Sequence, residues 1–495
     1  MRPRFSVCSA CNTRQWSVPT STRAGGYRDI FSAVVGAGHG ALWLGGFAFF
    51  AKLQQPARPI ARTMRALLFA YYFPPDGGAG TQRPTSFVRH LPSLGVECTV
   101  ITRSPPKERS FWEPEDATLV EQTEQWSRVL HTPPSVGTPT MAGWLDAVEC
   151  LADAEIRRER PDVLLLSMSP FELWRVGARL ADRHSIPVVY DLRDPWALDG
   201  WQSYRTYLHW RRERSEMRSM LRRADGVVAN TPEARALFLK LEPALQPARV
   251  AVVTNGWERD DFPLPAPRVV PRADAQALMR IVFTGSFLSK PLYPERSLRR
   301  QVGAMVRYTP EQILPSGRTP LHLLGAIRRL RERGEVAGIA ARLVVVGQKD
   351  QWTARCVDES GVAECVTFTG YLKHAESVRA IREADALFLP LHGLPPSHRS
   401  RIVPGKAYEY LATGRPILGA LPEGDAREII SASGLGYVAD PCDDAALAAA
   451  IVRLHADWRR GTFDRSARGP NADRYERAAL ASELATFLRR IAAPQ

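Results

Sequence analysis

From residue 64 onward the chain alternates short, β-branched apolar runs with stretches whose apolar positions recur every three or four residues. That alternation predicts parallel strands covered by helices on both faces, since a buried parallel strand is apolar throughout while its covering helices need only one apolar stripe. Strands are expected at 65–72, 97–102, 128–131, 162–167, 187–191, 226–230 and 249–253. A second series follows at 280–284, 341–346, 365–368, 385–390, 416–420 and 436–438, then a long helix at 443–459 and a last one near 473–491. Between the two series, "NGWERDDFPLPAPRVVPRADA" (255–275) is rich in proline and charge and has no periodicity, as a linker would. The expected organisation is a doubly wound α/β domain over 64–255, a linker over 256–275, a second such domain over 276–470 and a C-terminal helix over 471–495. Two such sheets leave a cleft at the carboxyl ends of their strands, where open sheets bind ligands.

The first 63 residues break the pattern. "IFSAVVGAGHGALWLGGFAFFA" (30–51) is 22 residues whose only titratable side chain is His39, long enough to cross a bilayer as a helix. Its five glycines lower helix propensity, and both flanks are basic, so charge gives it no orientation. The alternative is that the folded body starts at Met64, because "MRALLFAYYFPP" enters a strand at once. Residues 1–63 are then a dispensable extension or a mis-assigned start.

Those residues also hold seven Arg and one Lys against Asp29 alone, half of the net charge of +14. The remaining excess is modest and points to an anionic small substrate or an acidic membrane surface, not a nucleic-acid groove. One basic, aromatic stretch stands out, "WQSYRTYLHWRRERSEMRSMLRRADG" (201–226), with two readings open: a solvated helix face laced with ion pairs, or a contact with lipid headgroups. The seven scattered cysteines suit reduced thiols in a cytosolic setting, and Cys8-x-x-Cys11 lacks the second pair that a zinc site needs. No compact Asp-x-Asp follows a strand, so neither metal nor cofactor is expected.

Four places carry candidate chemistry. After the first strand, "FPPDGGAGTQRP" puts Gly77, Gly78 and Gly80 before a helix, where backbone N–H groups would meet an anion; a plain tight turn is the alternative. A dinucleotide site would want an acid after the second strand, where "CTVITRSPP" has Arg103. "VVYDLRDPW" (188–196) ends a strand with Asp191 and Asp194 around Arg193, two acids able to orient a hydroxyl or take a proton, with Arg193 holding one ionised. An ion pair within that loop is the competing reading. "IVFTGSFLSK" opens the second domain with Gly285 and Lys290, a turn and a cation suited to a diphosphate. Finally, in "RIVPGKAYEYLATGRPILG", Lys406 and Glu409 are three apart on one helical face, with Arg401 before the helix and the Gly414 cap after it. The helix start and Lys406 suit an anion and Glu409 suits ribose hydroxyls, unless Glu409 merely pairs with Lys406 or Arg415.

These motifs, together with "RADGVVANTP", "VVTNGWERDDF" and "FTGYLKHAESVRAIREADALFLPL", run in one order over about 430 residues. The chain from Met64 resembles the retaining glycosyltransferases of the GT-B fold in family 4, in particular bacterial members that build cell-surface polysaccharide. The resemblance implies a nucleotide-sugar donor, an acceptor hydroxyl on a glycan or lipid carrier, and donor binding by the second domain. Gly285 and Lys290 would then lie near the diphosphate, Arg401 and Lys406 would neutralise the leaving group, and Glu409 would hold the ribose. Gly78, Gly80, Asp191 and Asp194 would lie on the acceptor side. The family's pair of glutamates eight positions apart is incomplete here, since its first member falls on Arg401. An epimerase of the same fold and a non-catalytic partner subunit are the alternatives.

Overall fold

The computed structural model describes residues 63–105, 118–133, 140–200, 202–264, 278–292, 307–333, 341–463, 468–469 and 471–493. The candidate membrane segment 30–51 and the Cys8–Cys11 pair lie outside the described residues. Within the described residues no helix is long and apolar enough to cross a membrane, and the five cysteines there are free thiols.

Residues 61–495 form one compact unit built on two parallel sheets. The first sheet contains β1 (Met64–Ala70), β2 (Val96–Thr102), β3 (Arg128–His131), β4 (Val163–Met168), β5 (Val188–Leu192), β6 (Gly226–Ala229) and β7 (Val250–Val252). Their spatial order is β3-β2-β1-β4-β5-β6-β7, with every pairing parallel. The second contains β8 (Met279–Thr284), β9 (Ala341–Val346), β10 (Val366–Gly370), β11 (Ala386–Pro390), β12 (Ile417–Ala420) and β13 (Gly436–Ala439), ordered β10-β9-β8-β11-β12-β13 and again parallel throughout. The topology reverses between β1 and β4 in one sheet and between β8 and β11 in the other, and a crevice opens at such a switch point.

Both faces of each sheet are covered, so the strands are apolar without alternation: β4, Val-Leu-Leu-Leu-Ser-Met, is buried at every position. The last helix, Arg477–Ala492, returns from the second domain to the first, where Leu480, Leu484, Phe487 and Leu488 pack against Leu68, Val100 and Val228. At about 1.5–3 kcal/mol per fully buried large apolar side chain, these four residues hold the chain end firmly in place. The linker between the domains is anchored too. Trp257, completely buried, donates from Nε1 to the Ala472 carbonyl at 2.9 Å, and its backbone bridges to Glu476.

Candidate active site

The second switch point is bounded by the ends of β8 and β11, that is by Thr284–Gly285 and by Leu391–His392. Gly285 has φ +103°, a conformation L side chains rarely adopt, and a Cβ there would lie 2.9 Å from the Lys406 Nζ. Gly347, after β9, packs so closely that its Cβ would lie 2.2 Å from the Gly285 carbonyl oxygen. Gly285 thus clears the space that the Lys406 ammonium enters, and Gly347 lets the Gly285 backbone come close to β9.

Lys406 comes from the helix Gly405–Thr413, which follows extended Pro404 and is stopped by Gly414 in the left-handed region at φ 66°. Its ammonium donates to the Thr284 carbonyl and lies 4.1 Å from the centre of the Phe283 ring. Burial, reinforced by the nearby Arg318 guanidinium and opposed by Glu409, pushes Lys406 down to about 7. One turn on, Tyr410 receives the Thr284 N–H on its hydroxyl at 3.0 Å and fixes the helix to the end of β8. The helix start faces open space: nothing lies within 4 Å of a Cβ at Gly405, which lines a cavity with Gln82, Arg83, Phe87 and Asn255 of the first domain.

Glu409 is half-buried and, among the described residues, its carboxylate has no hydrogen-bond or ion-pair partner. It is not paired with Arg415, whose guanidinium is buried and donates to the Arg382 carbonyl. The charges that feel Glu409 are Lys406 and His374, the latter raised by its hydrogen bond to Asp261 at 3.0 Å and further by Glu409. A carboxylate left without a protein partner on the rim of a cleft is available to a ligand.

Several expectations need correction. Asp191 is fully buried, and its partner is Arg83, not Arg193: the Arg83 Nη2 is 2.6 Å from Oδ1 and Nε 2.8 Å from Oδ2, while the same guanidinium donates to the Val253 and Thr254 carbonyls. Asp191 has no solvent-facing surface and, through Arg83, ties the end of β5 to the carbonyls of Val253 and Thr254 that follow β7. Arg193 turns inward and donates to the Gly80 and Met168 carbonyls, tying the glycine loop to the end of β4, while Asp194 is exposed. Gly78 is exposed at φ 88° just before the helix Ala79–His90. Arg103 is bonded to Asp76 at 2.9 Å and stacked on Tyr71, so it is engaged inside its own domain.

Arg401 is also engaged. Its guanidinium donates to the Leu198 carbonyl of the first domain and to Glu311, so its charge is already matched. Glu311 belongs to a strap, residues 307–314, that bonds to both halves. Tyr308 exchanges backbone hydrogen bonds of 2.8 and 2.9 Å with Tyr204, and Leu314 does the same with Gly393. Lys290 lies exposed in a short turn, Lys290–Leu292, and Lys406 occupies the Gly285 position expected for it.

The cation that the sequence reading missed is Arg318, at the end of the turn Pro315–Arg318. Burial lowers its proton affinity and Asp199 across the cleft opposes that shift. Arg318 acts in turn on Lys406 and on His392, which burial, Arg318 and Arg401 bring down to about 4. Its only sequence signal is "SGRTP", a turn before a helix, beyond the long insertion that follows β8. Among the described residues no group of His, Cys, Asp and Glu side chains is arranged to hold a metal ion.

Two doubly wound domains with a cleft between their strand ends, and a cationic pocket at the strand ends of the second, have the GT-B architecture. The family model for Glycosyltransferase Family 4 matches residues 82–260, and that for Glycosyl transferases group 1 matches residues 318–457. The chain belongs to the GT-B glycosyltransferases of the family 4 type. Among solved structures it is similar to sucrose-phosphate synthase from Thermosynechococcus elongatus, with a TM-score of 0.57 and 16% identity over 86% of this chain and 98% of that one. A glycosyltransferase from Rickettsia africae ESF-5 superposes with a TM-score of 0.56 and 12% identity over 88% of this chain and 100% of that one. The lipopolysaccharide outer core galactosyltransferase WaaB gives 0.53 and 12% over 86% and 99%. At these identities the structural likeness speaks for the fold. No curated protein matches the chain.

Proposed function

We propose that this glycosyltransferase moves a sugar, with retention at the anomeric carbon, from a nucleotide-diphosphate donor to a hydroxyl of a glycan or lipid-linked acceptor. Its setting is polysaccharide or glycolipid assembly on the cytoplasmic side of an anionic membrane. The observation that carries this reading is the Lys406 ammonium seated on Gly285 at the end of β8, beside the open start of its own helix. Lys406, Arg318 and the Gly405 end of the helix take the diphosphate, with Lys290 at the rim and Glu409 on the ribose. Negative charge grows on the departing diphosphate as the sugar leaves, and cations fixed beforehand stabilise it by about 3–4 kcal/mol per well-placed donor. Gly78, Gly80 and Asp194 lie on the acceptor side. Asp191 and Arg401 hold the two walls in place and contribute no free charge.

The test is binding and turnover against UDP-, GDP-, ADP- and dTDP-sugars, comparing wild type with Glu409→Gln and Lys406→Ala. One donor series is expected to bind, with Lys406→Ala weakening the diphosphate and Glu409→Gln weakening the nucleoside part. Equal binding by all three proteins refutes the assignment of the site. Conversion of the donor without an acceptor would identify an epimerase instead.

A further inference from the structure

We propose that the first half of the helix Tyr207–Arg223, together with Arg205, is a docking face for an anionic lipid bilayer. This inference rests on the membrane-linked acceptor proposed above and locates its partner surface. Leu208 is 72% exposed and Tyr207 49% exposed, unusual for large apolar residues in adjacent positions on a covering helix. Arg211 and Arg212 follow Leu208 by three and four residues and share its face, with Arg205 just ahead of the helix and Arg214 at its flank.

The charge pattern separates this half of the helix from the other. Arg218 and Arg222 both bond to Glu242, and Arg223 pairs with Asp182. Among the described residues Arg205, Arg211, Arg212 and Arg214 have no carboxylate partner; Arg211 and Arg214 only overlie the Tyr207 and Trp210 rings, at 5.9 and 5.7 Å. The two acids of the helix are used inward or sideways. Glu213 accepts the Trp196 Nε1–H at 3.0 Å and lies 3.7 Å from His209, and Glu216 pairs with Arg175 at 2.8 Å. Unmatched cations around an exposed leucine and tyrosine complement a surface that is anionic outside and apolar just beneath, which is a phospholipid leaflet. A nucleic acid would use the charge and leave Leu208 without purpose.

The position of this face gives it a use. The Tyr207 and Trp210 rings each lie 5.1 Å from the ring of Tyr308 in the strap, and the strap leads through Glu311 to Arg401 at the cleft. A bilayer held on this face lies next to the cleft mouth, where a hydroxyl on a lipid carrier would enter.

The experiment is co-sedimentation of the full-length protein with vesicles of phosphatidylcholine alone and of phosphatidylcholine mixed with phosphatidylglycerol, at low and high salt. Binding to the anionic vesicles alone is expected, weakened by salt. Replacing Arg205, Arg211 and Arg212 together with Ser lowers that affinity on the order of 100-fold. Leu208→Ser lowers it roughly ten-fold and leaves the salt slope unchanged. Unaltered thermal midpoints and nucleoside-diphosphate binding in these variants separate this surface from the cleft assignment. Wild-type vesicle binding by the triple variant overturns the proposal, because another part of the chain then carries it. Displacement by soluble glycerol phosphate, or binding of RNA in preference to vesicles, overturns it as well.

Discussion

Replacing Asp191 with Asn decides between two roles for the residue that the sequence places most prominently at the first domain's strand ends. In the structure its carboxylate is fully buried against Arg83, whose guanidinium also holds the Val253 and Thr254 carbonyls at the start of the linker. The asparagine fits the space but leaves the guanidinium buried without its counter-charge, a loss of about 3–5 kcal/mol. For a domain of this size the unfolding midpoint falls on the order of 6–20 °C. Urea and thermal unfolding followed by tryptophan fluorescence measure the change. The double variant Asp191→Leu with Arg83→Met removes the unpaired charge but leaves two carbonyls without their donor, at about 1–3 kcal/mol each, so it recovers at most part of the loss. An Asp191→Asn protein that unfolds like wild type yet has lost turnover would refute the reasoning, since that is how a carboxylate acting on substrate behaves.

Two further outcomes are expected. Lys406 gives up its proton near pH 7 in the folded protein and at 10.5 in the usual case, so between those values the unfolded chain holds the extra proton and the ligand-free protein gains stability as pH rises. A diphosphate needs the charged form, so its affinity falls above pH 7 by up to about ten-fold per unit; calorimetric titration of a nucleoside diphosphate from pH 6 to 9 should show this slope in wild type, and Lys406→Arg should flatten it. Gly285→Ala forces a Cβ into φ +103° and against the Lys406 Nζ, with an expected loss of about 1–3 kcal/mol and weaker diphosphate binding; a variant with wild-type stability and affinity would remove Gly285 from the pocket.

The strands were readable because buried parallel strands leave little freedom in composition. The runs at 128–131 and 341–346 fall on β3 and β9 to the residue, and the other strand boundaries differ by at most two positions. The glycine at 285 and the pairing of Lys406 with Glu409 on one helix were also within reach, since a turn and a three-residue spacing are local properties. What failed was partner choice. Asp191 and Arg193 are two apart, which would put them on one face of a continuing strand, but β5 ends at Leu192, and the cation that meets Asp191 is Arg83, 108 positions away. Arg318 and Glu311 were hidden for the same reason: each reaches the cleft through a segment whose course depends on bridges to Tyr204 and Gly393, which no periodicity encodes. The docking of the last helix on the first sheet likewise follows from topology and not from the amphipathic pattern of the helix itself.

The strap at 307–314 changes how the two halves can move. A cleft joined by its linker alone opens like a book, with the largest displacement opposite the spine. Here a second tether, sewn by paired backbone hydrogen bonds to Tyr204 on one side and to Gly393 on the other, fixes another point on the same mouth. Together with the last helix, which also crosses between the halves, this seam ties the cleft mouth, so wide gaping requires its backbone hydrogen bonds to be unpicked first.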